Sequence, residues 1–177
     1  LTAVHLSLDE LIALSLAARL AGNVTALPWS SAARSALDKV LASVPRDRAR
    51  TLRALLRRVL IQQPASPRVL AELGQAPPEL LTAFERAVAT AHCLAFDYVD
   101  RRAKPTRRVV EPHGLLVEPP AWYLLTRDTA SGLARMFRMD RIRRARVDAR
   151  AFIPDFDGLA AQHCAQRAAE RARAGDA

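Results

Sequence analysis

The chain has 177 residues, half of them apolar and a quarter charged, which is enough to bury a core in one domain or two small ones. No apolar run approaches the roughly 20 residues of a membrane helix. The apolar N-terminal stretch is interrupted by Asp9, Glu10 and Arg19 and lacks the basic start of a signal peptide. Two cysteines, Cys93 and Cys164, are too few for a disulfide framework and are expected to be reduced thiols in a cytoplasm.

Taken in chain order, Ser7-Leu8-Asp9-Glu10 spells a capping box, in which the serine hydroxyl and the glutamate carboxylate each accept from the other residue's backbone N–H. Leu8, Leu11, Ile12 and Leu16 follow at helical spacing to about Ala21-Gly22, and residues 22–28 read as a connection. A second helix starts at Ser30 or Ser31, carries Leu37, Val40, Leu41 and Val44 on one face, and stops at Pro45. A third runs from Asp47 to about Arg57. Val59-Leu60-Ile61 fits either a short strand or the last turn of that helix, and Pro64 and Pro67 mark a linker.

Pro77-Pro78 opens a further helix whose apolar stripe is Leu80, Phe84, Ala87, Val88 and Ala91. After Ala91 the period drops from 3.6 to 2, and Leu94, Phe96 and Tyr98 alternate as in a half-buried strand. Strands are expected at 107–117, bent near Pro112 and Gly114, at 122–127, at 133–140 and at 142–147. Asp128 to Gly132 forms a hairpin turn with Gly132 free to adopt a left-handed conformation. Short strands at this spacing suggest a small barrel or curled sheet. Residues 160–173 read as a polar terminal helix.

The formal charge is +9, and it is concentrated. Between Arg101 and Arg150 stand 13 cations, 12 of them arginine, against Glu111, Glu118, Asp128, Asp140 and Asp148. The planar guanidinium fork suits phosphate and carboxylate. Heavy use of arginine throughout the chain is the plainer explanation.

Tyr98, Arg108-Val109-Val110-Glu111-Pro112, Trp122-Tyr123-Leu124 and Phe137-Arg138-Met139-Asp140-Arg141-Ile142 occur in that order over roughly residues 80–147. Together they resemble the WYL domain of bacterial transcriptional regulators. The helical stretch from Ser7 to Val44 resembles the segment that precedes it in such regulators.

This resemblance implies an α+β fold: a helical linker and dimerisation region at 1–76, an Sm-like five-stranded β-barrel at 77–150, and a C-terminal extension at 151–177. It further implies a homodimeric ligand sensor whose effector is a nucleic acid or a phosphate-bearing nucleotide. Promoter DNA would be bound through a winged helix-turn-helix lying before Leu1. The absence of an initiator methionine leads us to expect a piece of a longer protein. The alternatives are a stand-alone single-stranded nucleic-acid-binding module and a purely structural dimerisation fragment.

With the resemblance, the expected anion-binding residues are Arg108, Arg138 and Arg141, joined by Arg127, Arg135 and Tyr123. Strand alternation puts Arg135 with Phe137 on one face and Arg138 on the other, so the arginines need not form one cluster. Trp122 is expected to pack, and Tyr123 to be available to a ligand. His92-Cys93 and His163-Cys164 lack metal-site spacing. His113 is placed either at the barrel mouth or, more commonly for such a residue, on the surface. No phosphate-loop, zinc-protease or nucleophile-elbow motif is present, so neither catalysis nor a cofactor is expected.

Overall fold

A computed structural model describes residues 5–23, 29–101 and 103–175. The chain divides into two compact units, Leu1–Gln63 and Pro64–Ala177. Among the described residues no helix is long and apolar enough to cross a membrane. Residues 24–28 of the expected connection, and Arg102 of the arginine-rich region, lie outside the described residues.

The first unit contains α1 (Leu8–Asn23), α2 (Ser30–Ala42), α3 (Arg46–Leu56) and a short strand β1 (Val59–Ile61). The capping box forms as its spacing requires: Ser7 N–H donates to Glu10 Oε2 at 2.6 Å, and Glu10 N–H to Ser7 Oγ at 3.2 Å. Among the described residues Leu11, Leu37 and Leu52, one from each helix, are the largest buried side chains of this unit, beside Ser15, Ala49 and Val59. The choice left open for residues 59–61 resolves to strand, as their β-branched ends favour.

The second unit begins with α4 (Pro67–Ala71), a single short helix inside the segment read as a linker, and continues with α5 (Pro78–Ala89). Both start on proline, whose fixed φ and missing N–H suit a first turn. Four of the five residues of the predicted stripe, Leu80, Phe84, Ala87 and Val88, form the face α5 buries, while Ala91 lies past the end of the helix in a left-handed conformation and is half-buried.

Five antiparallel strands follow: β2 (His92–Val99), β3 (Pro105–Glu118), β4 (Ala121–Asp128), β5 (Ala134–Arg138) and β6 (Ile142–Ala151). Their order is β5-β4-β3-β2-β6, an open path with β5 and β6 at its ends. A register shift between Pro112 and Gly114 is the bend foreseen in β3. The strand expected over 133–140 stops at Arg138. There a 3₁₀ turn (Met139–Arg141) redirects the chain into β6, which runs four residues further than expected, to Ala151. Helix α6 (Phe156–Gly175) closes the unit.

Registry assigns the two faces of this sheet. Leu94, Phe96 and Tyr98 of β2 share a face with Arg108 and Val110 of β3, Leu124 and Asp128 of β4, and Arg135 and Phe137 of β5. In a flat sheet β2 and β5 would lie about 14 Å apart, three strand spacings. Yet the Phe96 and Phe137 rings are 5.2 Å apart, and those of Tyr98 and Phe137 are 4.9 Å apart. The sheet is therefore curled, with this face inside. Phe96, Leu94, Val110, Leu124 and Ile142 are buried within it. Each full burial of this kind stabilises by about 1.5–3 kcal/mol before ordering costs. Helix α5 packs against β6, β2 and β3, and α6, whose Leu159 and His163 are buried, packs against β4, β3 and β5.

Candidate functional site

The turn between β4 and β5 builds the first group of charges. Asp128 Oδ1 accepts the backbone N–H of Ala130 and of Ser131, each at 3.0 Å, while Gly132 takes φ 68° and donates to the Asp128 carbonyl at 2.8 Å. Gly132 tolerates that conformation because it has no Cβ. Asp128 Oδ2 faces two guanidiniums, Arg108 at 3.8 Å and Arg135 at 3.9 Å. Burial works against the charged carboxyl, but the Ser131 and Ala130 amides, the Ser131 hydroxyl and Arg135 outweigh it and hold its pKa below the ordinary value. Arg108 and Arg135 are 36% and 50% exposed, and both distances exceed hydrogen-bonding range. Apart from one bond from Arg108 Nε to Thr106 Oγ1 at 3.2 Å, the donors of this pair make no hydrogen bond among the described residues. They sit on the inner face of the sheet, at the end bearing the β4–β5 turn.

Arg127 points to the other face. Its guanidinium meets Glu111, opposite it on β3, at 3.5 Å and Asp155 at 3.3 Å. His113, expected on the surface or at the mouth, is instead buried at 1% exposure, because the bulge in β3 turns it under the segment leading to α6. Its Nδ1 accepts the Asp155 backbone N–H at 2.9 Å, so Nε2 carries the proton facing Glu111 Oε2 at 3.3 Å. The ring packs edge-on against Phe152 at 5.0 Å. Burial lowers its pKa, only partly countered by Glu111.

Arg138 and Arg141 form a third group. Arg138 is almost fully buried and grips Asp140 with two bonds, at 2.7 and 3.0 Å, while also donating to the Glu72 carbonyl at 2.7 Å. Asp140 Oδ2 accepts the Gly74 N–H at 2.8 Å, and Arg141 pairs with the Glu72 carboxylate at 2.7 Å. The 3₁₀ turn makes this possible by folding Asp140 back onto Arg138. The Phe-Arg-Met-Asp-Arg run thus clasps residues 72–74 to the sheet.

Tyr123, directly opposite Arg138 in register, is half-buried. Burial, and then the charge and hydrogen bond of Glu118, push its pKa up to about 12 against Arg138 and Arg167. Glu118 in turn takes Arg167 of α6 at 3.0 Å. Trp122, expected to pack, is half-buried as well.

The structure therefore brings Arg108 and Arg135 together, sets Arg127 on the opposite face, and places Arg138 and Arg141 in a clasp at 72–74. Sequence reasoning missed Asp128 as the shared partner and Glu72 as the clasp's other half. The first was discoverable, since a turn aspartate flanked by arginines is a local pattern. The second, 66 residues away from Arg138, was not. Among the described residues no group of three metal-ligating side chains occurs.

Arg108, Arg127, Asp128, Arg135, Arg138 and Arg141 lie within a recognisable domain. Residues 79–147 match the family model of the WYL domain, and the second unit carries that domain. Protein PafB of Mycobacterium leprae (strain TN) is 35% identical over 65 residues, 36% of this chain and 20% of the relative. The chain thus spans about a fifth of that relative's length. A solved structure of proteasome accessory factor B/C (PafBC) of Arthrobacter aurescens covers 84% of this chain and 21% of its own, at 23% identity and a TM-score of 0.39.

Proposed function

We propose that this chain is the ligand-sensing and dimerisation part of a bacterial transcriptional regulator, working in the cytoplasm as a homodimer. In this reading the curled sheet is an Sm-like barrel, and a phosphate-bearing effector binds at the end carrying the β4–β5 turn. The observation that carries the reading is the pair Arg108 and Arg135, two exposed guanidiniums sharing one carboxylate whose other oxygen is already committed to a turn. A phosphate arriving there finds donors with few competing bonds and a local excess of positive charge.

The residues read from the sequence divide their labour in this proposal. Arg108 and Arg135 meet the effector, with Arg127 close in sequence on the outer side. Arg138 and Arg141 act through the clasp on residues 72–74, a few residues beyond the division between the two units. Tyr123 acts through its contact with Glu118. An effector would then alter promoter binding by a separate reader domain only through different affinity for two arrangements of the dimer.

The test is a thermal-shift screen of nucleotides, cyclic dinucleotides and short oligonucleotides on the 177-residue chain. A ligand at a hundred times its Kd stabilises by about 2.7 kcal/mol. Arg108→Gln and Arg135→Gln should each shrink the shift while leaving the unliganded Tm nearly unchanged, since both side chains are substantially exposed. No shift from any phosphate compound, or full shifts in both variants, sinks the assignment.

A further inference from the structure

A second set of cations gathers on the outer face of the sheet, away from the β4–β5 turn. Arg107 on β3, Asp97 on β2 and Arg143 on β6 stand in one row across three strands, and Ala95 pairs with Arg146 in the next. Between these rows one residue of β2, Phe96, faces two of β6, Arg144 and Ala145, and Arg144 takes a left-handed conformation at φ 53°. A bulge of this kind re-aims side chains. Here it keeps Arg143 and Arg146 on the outer face and lets Arg144 reach Asp97 at 2.7 Å.

Arg107, Arg143, Arg144 and Arg146 are all exposed, Arg144 to 82%. Arg143 spends Nη1 on the Asp140 and Ile142 carbonyls, which leaves its charge uncompensated. Four cations thus stand against two carboxylates, Asp97 and the Asp148 that neighbours Arg146, and Arg101 and Lys104 of the adjoining hairpin, both exposed, extend the field. A non-glycine residue at positive φ carries a conformational cost. That cost is borne where it gathers charge.

We propose that this outer face of β3, β2 and β6 is a second binding surface, for the sugar-phosphate backbone of double-stranded DNA. It is distinct from the effector end of the inner face. Guanidinium forks match phosphate oxygens. The patch presents no exposed aromatic ring on which unstacked bases could sit, so it reads backbone and not single-stranded bases. Nor does it present the apolar anchor that a protein interface is built around. Its contacts position a module on a duplex without reading sequence. The value of such positioning rests on the regulator reading above, but the surface itself does not.

Fluorescence anisotropy with a mixed-sequence duplex of about 20 base pairs, titrated with the full chain from roughly 25 to 200 mM salt, tests this. Affinity should fall steeply with salt. The double variant Arg107→Gln/Arg146→Gln should flatten the log–log slope by roughly 1.8, at about 0.9 for each phosphate no longer neutralised. Arg144→Gly relieves the left-handed strain and removes the charge, so it should weaken binding with Tm unchanged or raised. Absence of duplex binding at the lowest salt, or parental affinity in both variants, overturns the proposal. So does tighter binding of the matching single strand, or equal binding of poly-glutamate. Duplex affinity abolished by Arg135→Gln but kept in the outer-face variants would assign DNA to the effector end instead. Failure here leaves the small-ligand screen standing, and failure there leaves this surface standing.

Discussion

Arg138 illustrates how an arginine is committed by its surroundings. Its side chain and that of Asp140 are 7% and 5% exposed, and all the bonds that hold them are internal. A buried ion pair repays its desolvation only while both partners remain. Arg138→Ala strands the Asp140 carboxylate, and we expect it to cost about 3–5 kcal/mol. Adding Asp140→Asn should recover part of that loss. Urea denaturation of the single and double variants measures it, and equal losses in both would show that the clasp is not a coupled pair. Alternation within 133–142 separated Arg138 from Arg135 correctly, because face assignment needs only a period of two. It carried no information on depth of burial, since Glu72 and Gly74 come from far away in the chain.

At the scale of elements, the anchoring of α6 depends on a histidine. The helix follows Asp155, whose N–H is bonded by His113 Nδ1, and Phe152 covers the ring. Protonating Nδ1 would set N–H against N–H. An unfolded histidine titrates near 6.5, and burial lowers the folded value, with Glu111 opposing and Arg127 adding to the shift. The contribution to stability is therefore complete above about pH 6.5. It drains as pH falls below that value toward the folded pKa. Denaturation midpoints at about pH 7.5 and about pH 5.5, either side of that value, should differ more for the parent than for His113→Gln. An equal drop in both would assign the acid sensitivity to the carboxylates. Most elements were legible from periodicity and proline: α5, β2 and the Gly132 turn rest on local signals. The 3₁₀ turn at 139–141 was not, because it is stabilised by distant bonds that outweigh the strand propensity of its neighbours.

For the molecule as a whole, the division at 63/64 places the larger core in the second unit, where Leu80, Phe84, Leu94, Phe96, Leu116 and Leu124 are all but inaccessible. Residues 64–177, expressed alone, should unfold in one cooperative transition and keep the near-ultraviolet circular dichroism of a packed core. A gradual transition without such a signal would show that this unit depends on the first. The domain's presence could be read from four short motifs in order. The allocation of its charges could not, because thirteen cations in fifty residues look alike until partners are assigned in space.

Asp128 has a consequence for how variation in this protein should be interpreted. The same carboxylate closes a turn with one oxygen and tempers two arginines with the other. A change in residues 129–133 that loosens the turn would leave that carboxylate free to draw both guanidiniums inward. On the effector reading proposed above, such a change would mute the response while every arginine stayed in place. In a genetic screen these alleles would map to a loop of ordinary appearance, and inheritance of the arginines alone would be a poor guide to whether the pair remains free to meet a phosphate.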